Sequence, residues 1–298
     1  MSIELADFNT LALRRDGAVL HVLLNRPEVR NAMSLTMVRE LRTVLGQAEM
    51  RADAVATGSA GDTGDTGDAG HAAARATETA DAVRVIVLRG AGGHFCAGAD
   101  LRDMATARAR LDDDPDALMK VNAAFGDLCV AFASTGLAVV AVLEGSVMGG
   151  GFGLACVADV ALAADNVQFR LPETALGVVP AQIAPFLLER LGYAEAKRLA
   201  VTGGRLDAKA ALALRLVHGV HAGAALDEAL NTVLQDILRC APGAIAATKA
   251  LLAQARWQPA AALVDAAARV FSKAALGPEG VEGTMAFLGK RKPSWAPQ

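Results

Sequence analysis

Apolar positions cluster along this chain in short β-branched runs: "AVLHVLL" (18–24), "VRVIVLRG" (83–90), "LAVVAVLEG" (137–145) and "VADVALAA" (157–164). Each is of strand length and runs into a polar or glycine-bearing turn, the signature of strands buried on both faces. Between them the spacing changes. Leu35, Val38, Leu41, Val44 and Ala48 recur every three or four residues, which predicts an amphipathic helix, and Ser34 stands where its start would be capped. Strand and helix alternate, so the pattern predicts an α/β fold.

Beyond about Ala181 the pattern becomes helical, rich in alanine and leucine. Asp207 and Asp227 are candidate caps, and "TGGRLD" and "CAPGA" read as turns. The expected organisation is a core over 1–200 and a helical region over 201–298. One stretch fits neither. Residues 51–82 repeat "GDT" and hold almost no large apolar side chains, which predicts a disordered surface insertion because so little surface can be buried. The calcium-binding nonapeptide pattern does not fit it.

Composition narrows the function. With 53% hydrophobic residues the chain can bury a large core, and a net charge of −3 gives no electrostatic reason to expect nucleic acid or a membrane as partner. The longest apolar run noted, Leu137 to Leu143, is too short to span a bilayer, and the N-terminus lacks a signal-peptide core. Cys96, Cys129, Cys156 and Cys240 lie far apart with no C-x-x-C pair, so neither a metal site nor a disulfide framework is indicated, and a cytoplasmic location is expected.

Two glycine-bearing turns carry the chemistry. "VMGGGFGLACVADV" (147–160) is neither G-x-G-x-x-G nor a P-loop, and the chain has no G-x-S-x-G elbow. "RGAGGHFCAGADLRDM" (89–104) is a second strand-to-helix turn of small residues. Such glycines serve either tight turns and close helix packing, or the exposure of backbone N–H groups to a ligand oxygen. Two such turns together could form a two-donor oxyanion hole.

Five segments in order, "LNRPEVRNAMS" (24–34), "HFCAGADLRDM" (94–104), "VMGGGFGLACVADVALAA" (147–164), "FRLPETALGVVP" (169–180) and "EGTMAFLGKRKPSW" (282–295), resemble the enoyl-CoA hydratase/isomerase, or crotonase, superfamily. The resemblance implies the crotonase (ClpP-like) spiral of β-β-α units with a helical C-terminal trimerisation region, in a homotrimer or dimer of trimers. It also implies an acyl-CoA thioester as substrate and no cofactor beyond the coenzyme A of that substrate. By motif position the oxyanion donors would be the N–H groups of Ala99 and Gly150. Val29, Arg30, Ala97, Gly98, Asp100, Leu101, Arg102, Gly149 and Gly153 would line the substrate site, and Phe287 and Lys290 would meet the nucleotide end of CoA, in some members from a neighbouring subunit.

Hydratases of the superfamily carry two glutamates. This chain keeps one as Glu173; the position of the other, twenty residues earlier, is Gly153. One glutamate suits either hydration with a single acid-base group or double-bond isomerisation, and the absence of the second also fits an acyl-CoA-binding protein without catalysis. The turn "LGVVPAQIAPFLLERLG" (176–192) departs from the glycine-rich run of most members and resembles the branch of isohexenylglutaconyl-CoA and methylglutaconyl-CoA hydratases. That resemblance favours hydration of a branched, glutaconyl-type 2-enoyl-CoA. Its carboxylate would call for a cation, and Arg102, Arg108, Arg110, Lys120 and Arg170 are the candidates. His94 and Cys96 read as structural.

Overall fold

The computed structural model describes residues 8–57 and 82–297. Strands β1 (Leu11–Asp16) and β2 (Val19–Leu24) form a hairpin, and helix α1 (Leu35–Thr57) follows. Next come β3 (Val85–Gly90), α2 (Leu101–Ala109), α3 (Ala117–Ser134), β4 (Ala138–Leu143), β5 (Ser146–Met148) and α4 (Gly150–Val157). The rest comprises β6 (Val160–Ala164), β7 (Gln168–Arg170), α5 (Ala184–Thr202), β8 (Arg205–Asp207), α6 (Ala208–Ala213), β9 (Gly219–His221), and helices α7 (Ala225–Arg239), α8 (Pro242–Ala255), α9 (Ala260–Leu276) and α10 (Pro278–Leu288).

A six-stranded sheet runs in the order β1-β2-β3-β4-β6-β9, parallel except for the hairpin. Every residue of β4 is buried. Val139, Ala141 and Leu143 join the larger core with Phe95, Phe132 and Phe152, whereas Ala138, Val140 and Val142 meet Leu226, Leu230 and Leu234 of α7. Coverage of both faces is why the run reads as continuously apolar. A second sheet, β5-β7-β8, stands beside the first.

Several expectations change in detail. Ser34 caps α1, its Oγ accepting from the Met37 N–H at 3.2 Å, and Asp207 caps α6 by accepting from Ala210 N–H at 2.8 Å. Asp227 caps nothing; it lies inside the first turn of α7 and pairs with Arg89 at 2.7 Å. The strand expected from 157 begins at Val160, because Val157 still belongs to α4 and a short run of small apolar residues fits either element. Residues 205–207 and 219–221, within or beside turns of the helical region, add a strand to each sheet.

The insertion expected over 51–82 lies outside the described residues from 58 to 81. Its first seven residues continue α1, and Ala82 is buried. Helix α3 is also a correction: at 18 residues and a mean hydropathy of 1.3 it is long and apolar enough to cross a membrane, unlike the strand-length run at 137–143. It instead packs on α1, α2 and α4 and buries Leu128, Cys129 and Phe132.

Candidate active site

The site forms where the turn after β3 meets the turn after β5. Asn31, fully buried and at φ +56°, fixes the first of these. Its Oδ1 accepts from Arg26 N–H at 2.8 Å, and its Nδ2 donates to the carbonyls of Ala91 and His94 at 2.9 and 2.7 Å. Asparagine is among the few residues that enter the left-handed region cheaply. Further along, Ala97 N–H donates to Arg30 O at 2.9 Å.

Met33 then sets the orientation of Ala99. Met33 N–H donates to Gly98 O at 2.7 Å, and Asp100 N–H donates to Met33 O at 2.9 Å, a parallel bridge centred on Ala99. In such a bridge the central residue's own N–H faces away. Ala99 is exposed, and its N–H has no hydrogen-bond partner among the described residues.

Asp100 secures the far side of this turn. It caps α2 by accepting from Arg102 N–H at 3.0 Å and pairs with Arg26 at 2.8 Å, both side chains largely buried. Burial opposes its ionisation, but the Arg102 N–H and the Arg26 guanidinium outweigh that and hold its carboxyl below the ordinary range.

The second turn is tied to the first by backbone. Cys96 N–H donates to Ser146 O at 3.0 Å and Met148 N–H to Cys96 O at 2.9 Å. Gly149 then takes φ +48° and ψ −116°, open in practice to glycine, and donates its N–H to Arg170 O at 3.1 Å. Gly150 is the first residue of α4, where no intrahelical acceptor exists for its N–H. A Cβ on Gly98, itself at φ +97°, would lie 3.8 Å from Gly149 Cα. The two small-residue turns therefore touch directly, each bearing an N–H without a hydrogen-bond partner among the described residues.

Glu173 reaches this junction from a 3₁₀ turn (Glu173–Leu176) after β7. Its Oε1 lies 2.9 Å from where a Cβ on Gly149 would stand, and its Oε2 is buried without a partner. Burial pushes the carboxyl pKa up. A partly desolvated carboxyl with one oxygen unpartnered, set against the Gly149 turn, is suited to hold and release a proton.

The position opposite is apolar. A Cβ on Gly153 would overlap Ile183 Cγ2 and lie 3.1 Å from Ile183 Cβ and 3.7 Å from Phe125 Cζ. The same Phe125 Cζ lies 3.1 Å from a Cβ on Gly150. Where the resemblance would put a second glutamate, the space is filled by hydrocarbon.

Other expected residues fall as follows. Val29 is half-buried and Arg30 exposed on the turn that receives Ala97, and Leu101 and Arg102 are exposed at the start of α2. His94 accepts from Ser146 N–H at 3.1 Å, a structural role, and Cys96 packs beneath Gly151 with its thiol pushed up to about 11 by burial. Phe287 and Lys290 are exposed at the end of α10, and no hydrogen bond or ion pair among the described residues links their side chains to the site. Of the candidate cations, Lys120 pairs with Asp114, while Arg102, Arg108 and Arg110 are exposed. Arg170 is half-buried and its Nε is unpartnered. Sequence reasoning gave no individual role to Arg26, Asn31, Phe125 and Ile183. The first two stand in the quoted "LNRPEVRN" and Ile183 in the divergent run at 176–192, but Phe125 carries no local signal because an apolar residue on a helix reads as core.

The family model described as Enoyl-CoA hydratase/isomerase matches residues 71–298. Carnitinyl-CoA dehydratase of Escherichia coli K12 is 33% identical over 296 residues, covering 96% of this chain and 98% of that protein. Peroxisomal Δ(3,5)-Δ(2,4)-dienoyl-CoA isomerase of Arabidopsis thaliana is 27% identical over 308 residues, covering 99% of each. Among solved structures, Pseudomonas aeruginosa AtuE superposes with a TM-score of 0.83 at 47% identity, over 97% of this chain and all of that one.

Proposed function

The chain belongs to the enoyl-CoA hydratase/isomerase family, and from that premise we propose that it adds water across the double bond of a branched, glutaconyl-type 2-enoyl-CoA. The Ala99 and Gly150 N–H groups receive the thioester oxygen, and Glu173 carries the proton. The observation behind this reading is the half-buried Glu173 carboxylate, its Oε2 buried without a partner, set against Gly149, one residue before the first N–H of α4.

In this scheme the thioester oxygen lies between the two N–H groups. Glu173 takes a proton from a water molecule as the water oxygen bonds to the β-carbon, and the electron pair of the double bond moves onto the thioester as an enolate. The two donors meet charge that exists only once the reaction is under way, so they act on the barrier more than on ground-state binding. Glu173 then returns the proton to the α-carbon. No electrons leave the substrate, so the reaction requires no redox cofactor.

The branched acyl chain rests on the resemblance of segments 147–164 and 176–192. Arg170, with its unpartnered buried Nε, is the candidate for the substrate carboxylate. We further place the enzyme in the cytoplasm as a homotrimer or dimer of trimers, assembled through 201–298, with Phe287 and Lys290 at the CoA of a neighbouring copy.

A second reading, double-bond isomerisation, is favoured by the hydrocarbon at 153, since one base can move a proton between the α- and γ-carbons. Branched and straight 2- and 3-enoyl-CoAs, incubated in ¹⁸O water, decide between them. Hydration consumes the 2-enoyl absorbance and incorporates ¹⁸O. Formation of 2-enoyl absorbance from a 3-enoyl-CoA, with no ¹⁸O in any product, would replace the favoured reading.

A further inference from the structure

The turn at 181–183 is unusual in sequence, and the scheme above gives it no part. In the structure it is tied to helix α3 at two points. The Gln182 side chain lies over Gly126, so closely that any Cβ there would overlap its amide oxygen, and Gln182 Nε2 donates to Asn122 Oδ1 at 2.8 Å. Asn122 and Gly126 are one helical turn apart, on the surface that also presents Phe125. Ile183, next in the chain, is 3% exposed and fills the space beside Gly153.

We infer that residues 182 and 183 are the specificity element of this site: Ile183 occupies the slot of a second acid and backs Phe125, the Gln182–Asn122 bond holds it there, and the half-buried Phe125 ring meets an apolar branch of the acyl chain. The ring is placed for this because its tip borders both Gly150, the proposed donor, and Gly153. A thioester whose oxygen sits at the Gly150 N–H has its next carbons within reach of that edge. With hydrocarbon on this side, a polar atom there would lose its hydrogen bonds, whereas a methyl or longer branch gains contact. Water for addition is then held by Glu173. Phe125 is the contact residue, and Ile183 and Gln182 are positioning residues. The inference rests on the acyl-CoA reading and extends it to the shape of the acyl group.

Two measurements test it on the intact chain. The first is binding of two saturated, unreactive thioesters, a β-methyl-branched acyl-CoA and its straight-chain isomer, to the parent and to Phe125→Ala, Phe125→Leu and Gln182→Ala. A hydrophobic pocket discriminates by about 10–200-fold per methylene-sized group. Phe125→Ala is expected to weaken the branched ligand at least about ten-fold more than the straight one. Phe125→Leu should restore most of the preference, and Gln182→Ala should reduce it by a smaller factor.

The second is thermal melting of Gly153→Ala, Ile183→Ala and the double variant. Gly153→Ala should lower Tm by about 3 °C or more, and the loss should shrink when Ile183 is also truncated, since the two compete for one space. Tight binding of both thioesters with an unchanged ratio in every variant overturns the specificity role and leaves the acyl-CoA reading standing. Additive Tm losses overturn the packing of Ile183 against position 153. A parent that discriminates as expected yet hydrates no enoyl-CoA removes the hydratase reading and keeps the specificity element.

Discussion

The Glu173 carboxylate closes over Gly149: a Cβ on residue 149 would stand 2.9 Å from the Glu173 Oε1, so the carboxylate would have to shift. Gly149 also has φ +48° and ψ −116°, which costs an L-residue about 1–3 kcal/mol. Gly149→Ala should therefore impair the site through both the backbone that presents the Gly150 N–H and the carboxylate. A fall in kcat of about 100-fold or more is expected, since misplacement by about 1 Å can cost that much. Rate assays with parallel calorimetry check it; a variant with parental kcat would show that neither group needs its present position.

Burial raises the Glu173 pKa, so the folded protein binds this proton more tightly than the unfolded chain does. Stability is then fully present below the ordinary glutamate value and falls as pH rises through the raised folded value. Glu173→Gln removes this titration. Its Tm should exceed that of the parent increasingly as pH climbs through that window, and then level off. Activity should show the converse, with the limb that reports the basic form lying above the ordinary carboxylate range. A Tm difference independent of pH would contradict the shift.

Asn31 acts at one remove, through the three hydrogen bonds that hold the turn before Ala99. Asn31→Ala leaves the Ala91 and His94 carbonyls and the Arg26 N–H without this partner. Each such loss costs about 1–3 kcal/mol if the group stays buried, so a total of about 2–4 kcal/mol in urea unfolding is expected once the turn relaxes. The relaxation should also lower kcat, because the Ala99 N–H is aimed by the same segment. Parental stability and kcat together would contradict a positioning role.

How far the sequence carried the structure varied with the range of the interaction. The central strand at 138–143, the Ser34 and Asp207 caps and the two glycine turns follow from local periodicity and chemistry, and all are present. The strands at 205–207 and 219–221 have only three residues each, too few to show a period, and exist because neighbouring strands offer hydrogen-bonding edges. Gly153 shows the limit most clearly. Its sequence position announces a missing acid, but that Ile183, thirty residues on, fills the space depends on how α5 and its preceding turn pack against α3 and α4. Phe125 belongs to the same class of long-range fact.

The Gly150 donor can be separated from the space around it. Gly150→Ala keeps the N–H but places a methyl 3.1 Å from Phe125 Cζ, so that ring must move by a few tenths of an ångström. Gly150→Pro removes the N–H at a helix's first position, where proline is otherwise well tolerated and no internal hydrogen bond is lost. If Gly150 N–H receives the thioester oxygen, Gly150→Pro should lower kcat by about 10²–10³-fold, the usual loss for one oxyanion donor. Gly150→Ala should be affected less in kcat and more in its preference among acyl chains, since the methyl presses on the ring and not on the donor. Circular dichroism and melting curves establish that both variants are folded. Equal kcat values for the two would mean that crowding, and not the lost donor, is what each variant reports.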